Sequence, residues 1–228
     1  ANKDFSSLQS FTYRKIDLIR WRQNLEYILG KQSKIVANIM YRGNTMGQNP
    51  AYLIGSTNNP TKFRGQINSN RFDALVLDIQ TQQTIQKLNA KIILGAYGDI
   101  TKQKLQASFI DIYKDLSLNK FTSYSLKNPD SIITNYATNI YNKAMYLNWI
   151  GKIGSGFNYN ASLRYDHFEY QYNNALKFGT PSSNNVFTNW SPKIGFTYNK
   201  QNIGGYLNYS HGFVPPQITE IYNAIRVP

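Results

Sequence analysis

Arg164 and Asp166 stand two residues apart in the stretch Leu163-Arg-Tyr-Asp-His-Phe-Glu-Tyr170. In an extended chain that spacing puts both side chains on one polar face, where they are expected to pair with charges on neighbouring strands. Chemistry beyond pairing is hard to find. The two histidines, His167 and His211, are far apart, and neither sits at a metal-ligand spacing. There is no cysteine, which excludes thiolate metal sites and disulfides. No nucleophile-base pair and no carboxylate pair rises above chance. The expectation is a protein that is not an enzyme, with no catalytic residue, metal or cofactor.

His211 comes just before a double proline, in Ser210-His-Gly-Phe-Val-Pro-Pro216. Proline cannot donate to a sheet ladder, so Pro215-Pro216 is expected to end a strand that begins near Gly204. His211 then falls at a rim. A plain strand end accounts for these residues, and a ligand contact by His211 is the sharper alternative.

The elements that carry these residues read as strands. Over 156–170, Phe157, Tyr159, Ala161, Leu163 and Tyr165 share one face, and Asn158, Asn160, Ser162, Arg164 and Asp166 share the other. Residues 193–199 and 204–211 alternate in the same way. Noisier alternation covers 34–42, 71–80, 91–99 and 142–150, and the opening 5–29 is expected to hold two strands of unclear phase. Short connections fall near 30–33, 82–88, 151–154 and 199–202. Long ones are expected near 43–70, 100–138, 171–188 and after 214. Long and short connections alternate, so an antiparallel meander would carry all its long loops on one rim, as outer-membrane barrels do. A soluble sheet with one buried face shows the same alternation.

Composition agrees with wet faces and aromatic girdles. Tyrosine occurs 18 times and phenylalanine 12 times among 228 residues. The charge of +13 comes from 25 basic and 12 acidic residues, but they are scattered rather than gathered on one face, so nucleic acid is not expected as a partner. No apolar run is long enough for a membrane helix, and the first ten residues are not a signal peptide.

The block Leu163–Tyr222, with LRYDHFEY, TNWSPKIGFTY and YLNYSHGFVPPQITEIY in that order, resembles the middle-to-late barrel of the TonB-dependent outer-membrane receptors, most of all the ferric-siderophore receptors. The resemblance implies an all-β fold, an antiparallel transmembrane β-barrel, with residues 1–228 forming a partial segment of a barrel of about 22 strands. About nine or ten strands are expected here, with the plug and the closing strand absent. It implies a multi-pass barrel in the bacterial cell outer membrane, in contact with lipid. It also implies active import of a scarce ligand, driven by the TonB complex through the missing plug segment. The expected ligand is a ferric siderophore. The alternatives are haem, cobalamin or an oligosaccharide, or a role as the barrel scaffold of a larger outer-membrane complex.

Ferric siderophores are commonly anionic and present aromatic surfaces, so arginine forks and aromatic rings on the outer loops would suit them. The candidate ligand contacts are Arg64, Tyr124, Lys127, Tyr172, Lys177, Phe178 and His211. Arg164 and Asp166 are expected to be lumen charges. Trp149, Tyr165, Tyr198 and Tyr209 read as lipid-facing or girdle residues.

Overall fold

The computed structural model describes residues 13–56, 58–126 and 131–222. Nine strands form one antiparallel sheet: β1 (Tyr13–Gly30), β2 (Ser33–Ser56), β3 (Lys62–Ile85), β4 (Ala90–Asp115), β5 (Lys120–Leu126), β6 (Ile132–Ile153), β7 (Phe157–Asn174), β8 (Ser183–Lys200) and β9 (Ile203–Ser210). Each strand pairs with its chain neighbours, except around the short hairpin strand β5. β3 lines one edge of β4 along nearly its whole length. The other edge is shared between β6, which pairs with Ala90–Ser108, and β5, which pairs with Ile110–Asp115.

Tight turns gather on one rim. Residues 31–32, 154–156 and 201–202 connect strands directly, and a single 3-10 turn (Gln86–Leu88) joins β3 to β4. Asn89 closes that turn at φ 46°; asparagine is one of the few non-glycine residues that enters the left-handed region readily. Three of the four expected short connections lie within a few residues of these turns, and the fourth, 82–88, overlaps the 3-10 turn.

The opposite rim differs from expectation. Most of 43–70, 100–138 and 171–188 is strand, and the connections shrink to 57–61, 116–119, 127–131 and 175–182. β4 alone runs 26 residues, well beyond the roughly 9–11 that cross a bilayer. These outer stretches are rich in Asn, Gln, Ser and Thr and show no single apolar face. A ladder needs only backbone donors and acceptors, so a strand with polar residues on both faces carries no periodic signal, although the far end of β4 fully buries Ile110 and Ile112. Of the opening stretch 5–29, residues 13–29 belong to the single strand β1, and residues 5–12 lie outside the described residues.

The expected transmembrane barrel is corrected by the topology. Pairing runs linearly from β1 to β9, and these two edge strands do not pair with each other, so the sheet is open. The edges also differ in length, 18 residues against 8, and cannot match register along their lengths. The assignment as a multi-pass barrel of the outer membrane, which depended on closure, goes with it. No described helix is long and apolar enough to cross a membrane.

The faces of the sheet follow the alternation. One face carries Leu75, Leu77, Leu94, Met145, Leu147, Trp149, Leu163, Trp190, Ile194 and Phe196, all exposed. Aromatic pairs brace it: Tyr165–Trp190 at 4.9 Å, Phe157–Tyr198 at 4.5 Å and Trp149–Tyr159 at 6.1 Å between centroids. The other face is polar. Pro192 interrupts β8 without breaking it. β9 pairs only with Lys193–Lys200, and the Pro192 carbonyl accepts from the His211 backbone N–H at 3.0 Å; the residue lies where no full neighbouring ladder demands its missing donor.

The double proline does not end a strand. β9 stops at Ser210, residues 211–217 are irregular, and the short helix α1 (Ile218–Tyr222) follows. Glu220 Oε2 accepts the Gln217 backbone N–H at 2.7 Å and holds the start of that turn. Ile218 and Tyr222 bury themselves against Tyr136, Tyr170 and Tyr172 on the polar side of the sheet. The chain after β9 is therefore a strap folded back over that side.

Candidate functional site

On the polar face three long side chains each reach across a neighbouring strand at a small residue. Arg42 of β2 crosses β3 at its register partner Ala74 and donates from Nη2 to Asp99 Oδ2 of β4 at 3.1 Å. Tyr146 of β6 crosses β4 at Gly95 and donates its hydroxyl to Asp78 Oδ1 of β3 at 2.8 Å, with Gln80 Oε1 3.2 Å away. Arg164 of β7 sets its guanidinium over the Tyr97 ring of β4 at 5.2 Å, reaching past Ala144 of β6, the register partner of Tyr97 and Asp166. Asp99 also accepts from the hydroxyls of Tyr97 at 3.3 Å and Thr101 at 2.7 Å. The result is a network over β2, β3, β4, β6 and β7 in which each carboxylate has donors.

Arg164 and Asp166, expected to pair with charges on neighbouring strands, pair with each other instead. Nε lies 2.9 Å from both carboxylate oxygens and Nη2 lies 2.8 Å from Oδ1. Asp166 is only 7% exposed. Removing one partner of so enclosed a pair leaves an uncompensated charge, at about 3–5 kcal/mol where burial is complete.

The remaining candidates scatter. Arg64 lies at the start of β3 with its guanidinium over Phe109 at 5.1 Å. Tyr124 sits in β5, opposite Ile112 of β4. Lys177 and Phe178 are exposed in the 175–182 connection. Asn174 shapes that connection: its amide donates to the carbonyls of Phe178 and Thr180 at 2.8 and 2.9 Å, and its Oδ1 accepts from the Leu176 N–H at 2.9 Å. Tyr172 is buried, stacked on Tyr222 at 4.1 Å and 10° between planes. Lys127 lies outside the described residues.

His211 stays exposed. With Gly212 and Phe213 it borders a half-open concavity of about 360 Å³ against β6, β7 and β8, which bring Tyr146, Arg164, Ser191 and Lys193 to the same place. The structure thus joins Arg164 to His211, and it does not bring Arg64, Tyr124, Lys177 or Phe178 into that cavity. A second concavity, about 460 Å³, lies along the network between Arg22, Asp78, Tyr146 and Arg164. Sequence reasoning missed Arg42, Tyr97, Asp99 and Tyr146 as a group. The usable signal was Gly95, a glycine inside a strand, where a large side chain from the next strand has room to approach.

One carboxylate outside the sheet face is also tuned. In the 116–119 turn, Asp115 Oδ1 accepts from Ser117 Oγ at 2.6 Å, Ser117 N at 2.8 Å and Leu118 N at 3.2 Å. The Ser117 hydroxyl, and then the Leu118 N–H, hold the Asp115 carboxyl below its ordinary value. Among the described residues no group of three His, Asp or Glu side chains converges on a metal-sized site.

The structure is thus a broad, open antiparallel sheet with one apolar face, aromatic pairs on that face and a polar, charge-paired reverse. The chain belongs to the TonB dependent receptor-like, beta-barrel family, whose model matches residues 2–227. Members of this family are outer-membrane transport receptors, not enzymes. Solved structures share the fold, two of them as follows. The siderophore receptor PiuA from Acinetobacter baumannii is 16% identical, with a TM-score of 0.65 over 89% of this chain and 33% of that one. The ferric citrate transporter FecA, in its unliganded form, is 14% identical, with a TM-score of 0.56 over 86% of this chain and 26% of that one. The chain therefore spans about a third of the first and a quarter of the second. No curated protein sequence matches it.

Proposed function

We propose that this chain serves a receptor for active import of a scarce ligand, most fittingly a ferric siderophore, with energy supplied by a TonB complex. The observation that carries the reading is the family match over nearly the whole chain. It is supported by the fold shared with proteins named as a siderophore receptor and a ferric citrate transporter. In this reading the apolar face meets lipid and the polar face looks toward the ligand path. TonB acts through a plug segment outside the matched residues. Arg64, Tyr124, Lys127, Lys177, Phe178 and His211 are proposed as ligand contacts near the end of that path. Tyr172 would join them only when α1 lifts from it. Arg164 and Asp166 line the path as a neutralised pair.

The test is uptake of radiolabelled iron, presented as a panel of ferric siderophores, by cells with and without the gene for this protein. Uptake of at least one chelate that disappears on deletion, and again on dissipating the inner-membrane proton gradient, is the expected result. Uptake unchanged by deletion across hydroxamate, catecholate and carboxylate chelates would overturn it.

A further inference from the structure

The cavity beneath the strap has an unusual balance of charge. Its two acidic neighbours are already committed. Asp166 is held by the Arg164 guanidinium, and Asp78 accepts the Tyr146 hydroxyl and, at 3.4 Å, the Asn38 amide. Among the described residues, the Lys193 ammonium and the His211 ring make no hydrogen bond or ion pair, yet both line the cavity. Register brings them together: Lys193 pairs with Ser210, the residue before His211, while Ser162 and Ser191 flank them from β7 and β8. Arg164 spends Nε and Nη2 on Asp166, which leaves its third nitrogen without an acceptor. Surplus donors, three of them on the basic side chains of Lys193, His211 and Arg164, thus converge on a half-open concavity walled by Tyr146 and Phe213.

The strap that closes this space is fastened rather than draped. Phe213 packs on Phe168 at 6.0 Å. Farther along, Tyr222 stacks on Tyr172, its hydroxyl accepts from Asn185 Nδ2 at 2.8 Å, and its carbonyl accepts from Thr180 Oγ1 at 2.6 Å. Pro215 and Pro216 stiffen the span between these anchors. His211 is held at the cavity because both ends of its segment are tied down: one to Pro192 on β8, the other to the aromatic cluster.

We propose that this strap-covered cavity is an oxyanion site, taking a carboxylate or phosphate group through Lys193 and His211, with the Ser191 hydroxyl and the spare Arg164 nitrogen beside them. Charge-assisted hydrogen bonds from the Lys193 ammonium and the Arg164 guanidinium are the strong ones for such groups, with the His211 ring as a further donor, and about 360 Å³ admits a small polyanion. The inference names a ligand class for the polar face. It rests on the import reading for its biological use, but the binding can be measured without it.

The chain contains only two histidines, and His167, at an odd position in β7, projects from the face opposite Arg164 and Asp166. That makes an internal control. With histidine-selective 13C labelling of the full chain in detergent micelles, citrate and inorganic phosphate are titrated separately at fixed pH and ionic strength. The His211→Gln variant assigns the two signals. The expected result is saturable movement of the His211 signal alone, by citrate for a carboxylate site, by phosphate for a phosphate site, and by neither in glycerol. Lys193→Gln should weaken the affinity roughly tenfold or more, the size of one lost charged hydrogen bond, while Lys143→Gln on the opposite face leaves it unchanged. Parallel movement of both histidines, no saturation by either anion, or an affinity untouched by Lys193→Gln would overturn the proposal. Failure of iron uptake with an intact oxyanion response would instead count against the import reading alone.

Discussion

Gly95→Ala is the sharpest probe of the strand-crossing network. A Cβ at position 95 would collide with the far end of the Tyr146 ring, including its hydroxyl. The obstruction is a side chain, not the β6 backbone, so the ring can swing away and leave the ladder in place. What it forfeits is the hydrogen bond to Asp78 at 2.8 Å and the contact with Gln80 at 3.2 Å. A hydrogen bond to a charged acceptor contributes about 1.5–3 kcal/mol, and this sets the expected loss of stability. Equilibrium urea unfolding in detergent, followed by fluorescence of the three tryptophans, measures it. Tyr146→Ala should lower stability by itself, and adding Gly95→Ala to that background should then cost almost nothing, because no ring remains to displace. The reasoning is refuted if Gly95→Ala leaves the parent stability unchanged. It is equally refuted if the substitution costs as much without Tyr146 as with it, since the clash would then lie elsewhere.

Three further outcomes follow from the same geometry. Arg164→Ala should destabilise by up to about 3 kcal/mol by stranding the nearly buried Asp166, and Arg164→Lys should recover only part of this because an ammonium lacks the fork that now engages both carboxylate oxygens; urea midpoints of the two variants rank them. Tyr222→Ala should release the strap, seen in limited proteolysis as new cleavage within 211–222, whereas Tyr222→Phe, which keeps the stack on Tyr172, should stay largely protected. Because the Asp115 carboxyl is held below its ordinary value, its stabilising contribution is full above that value and fades as pH falls through the lowered one. The Ser117 and Leu118 amide resonances should therefore shift with pH only below about 4, and Ser117→Ala should move that transition upward.

The strands with one apolar and one polar face were legible because alternation there has period two: 157–166 and 193–199 lie within β7 and β8. The tight turns near 31–32, 154–156 and 201–202 were legible from their Gly, Asn and Lys clusters. The far ends of β2, β3 and β4 were not, since Asn, Gln, Ser and Thr on both faces look the same in a loop and in a strand. That Arg164 and Asp166 share a polar face was readable from spacing, but their pairing with each other was not. Arg42 with Asp99, and Tyr146 with Asp78, were not, being 57 and 68 residues apart in the chain.

Sequence by itself determined the family, the antiparallel strand character and the assignment of Arg164 and Asp166 to a polar face, because these depend on local order and on the two-residue period of an extended chain. Tertiary structure alone decided three matters. The sheet is open; closure depends on whether two distant edges meet, which no local pattern encodes. The double proline belongs to a strap rather than a strand end, because Ile218 and Tyr222 find an aromatic surface assembled from β6 and β7. Lys193 and His211 share a cavity with Arg164, because strand register, summed over three strands and a fold-back, sets which side chains converge.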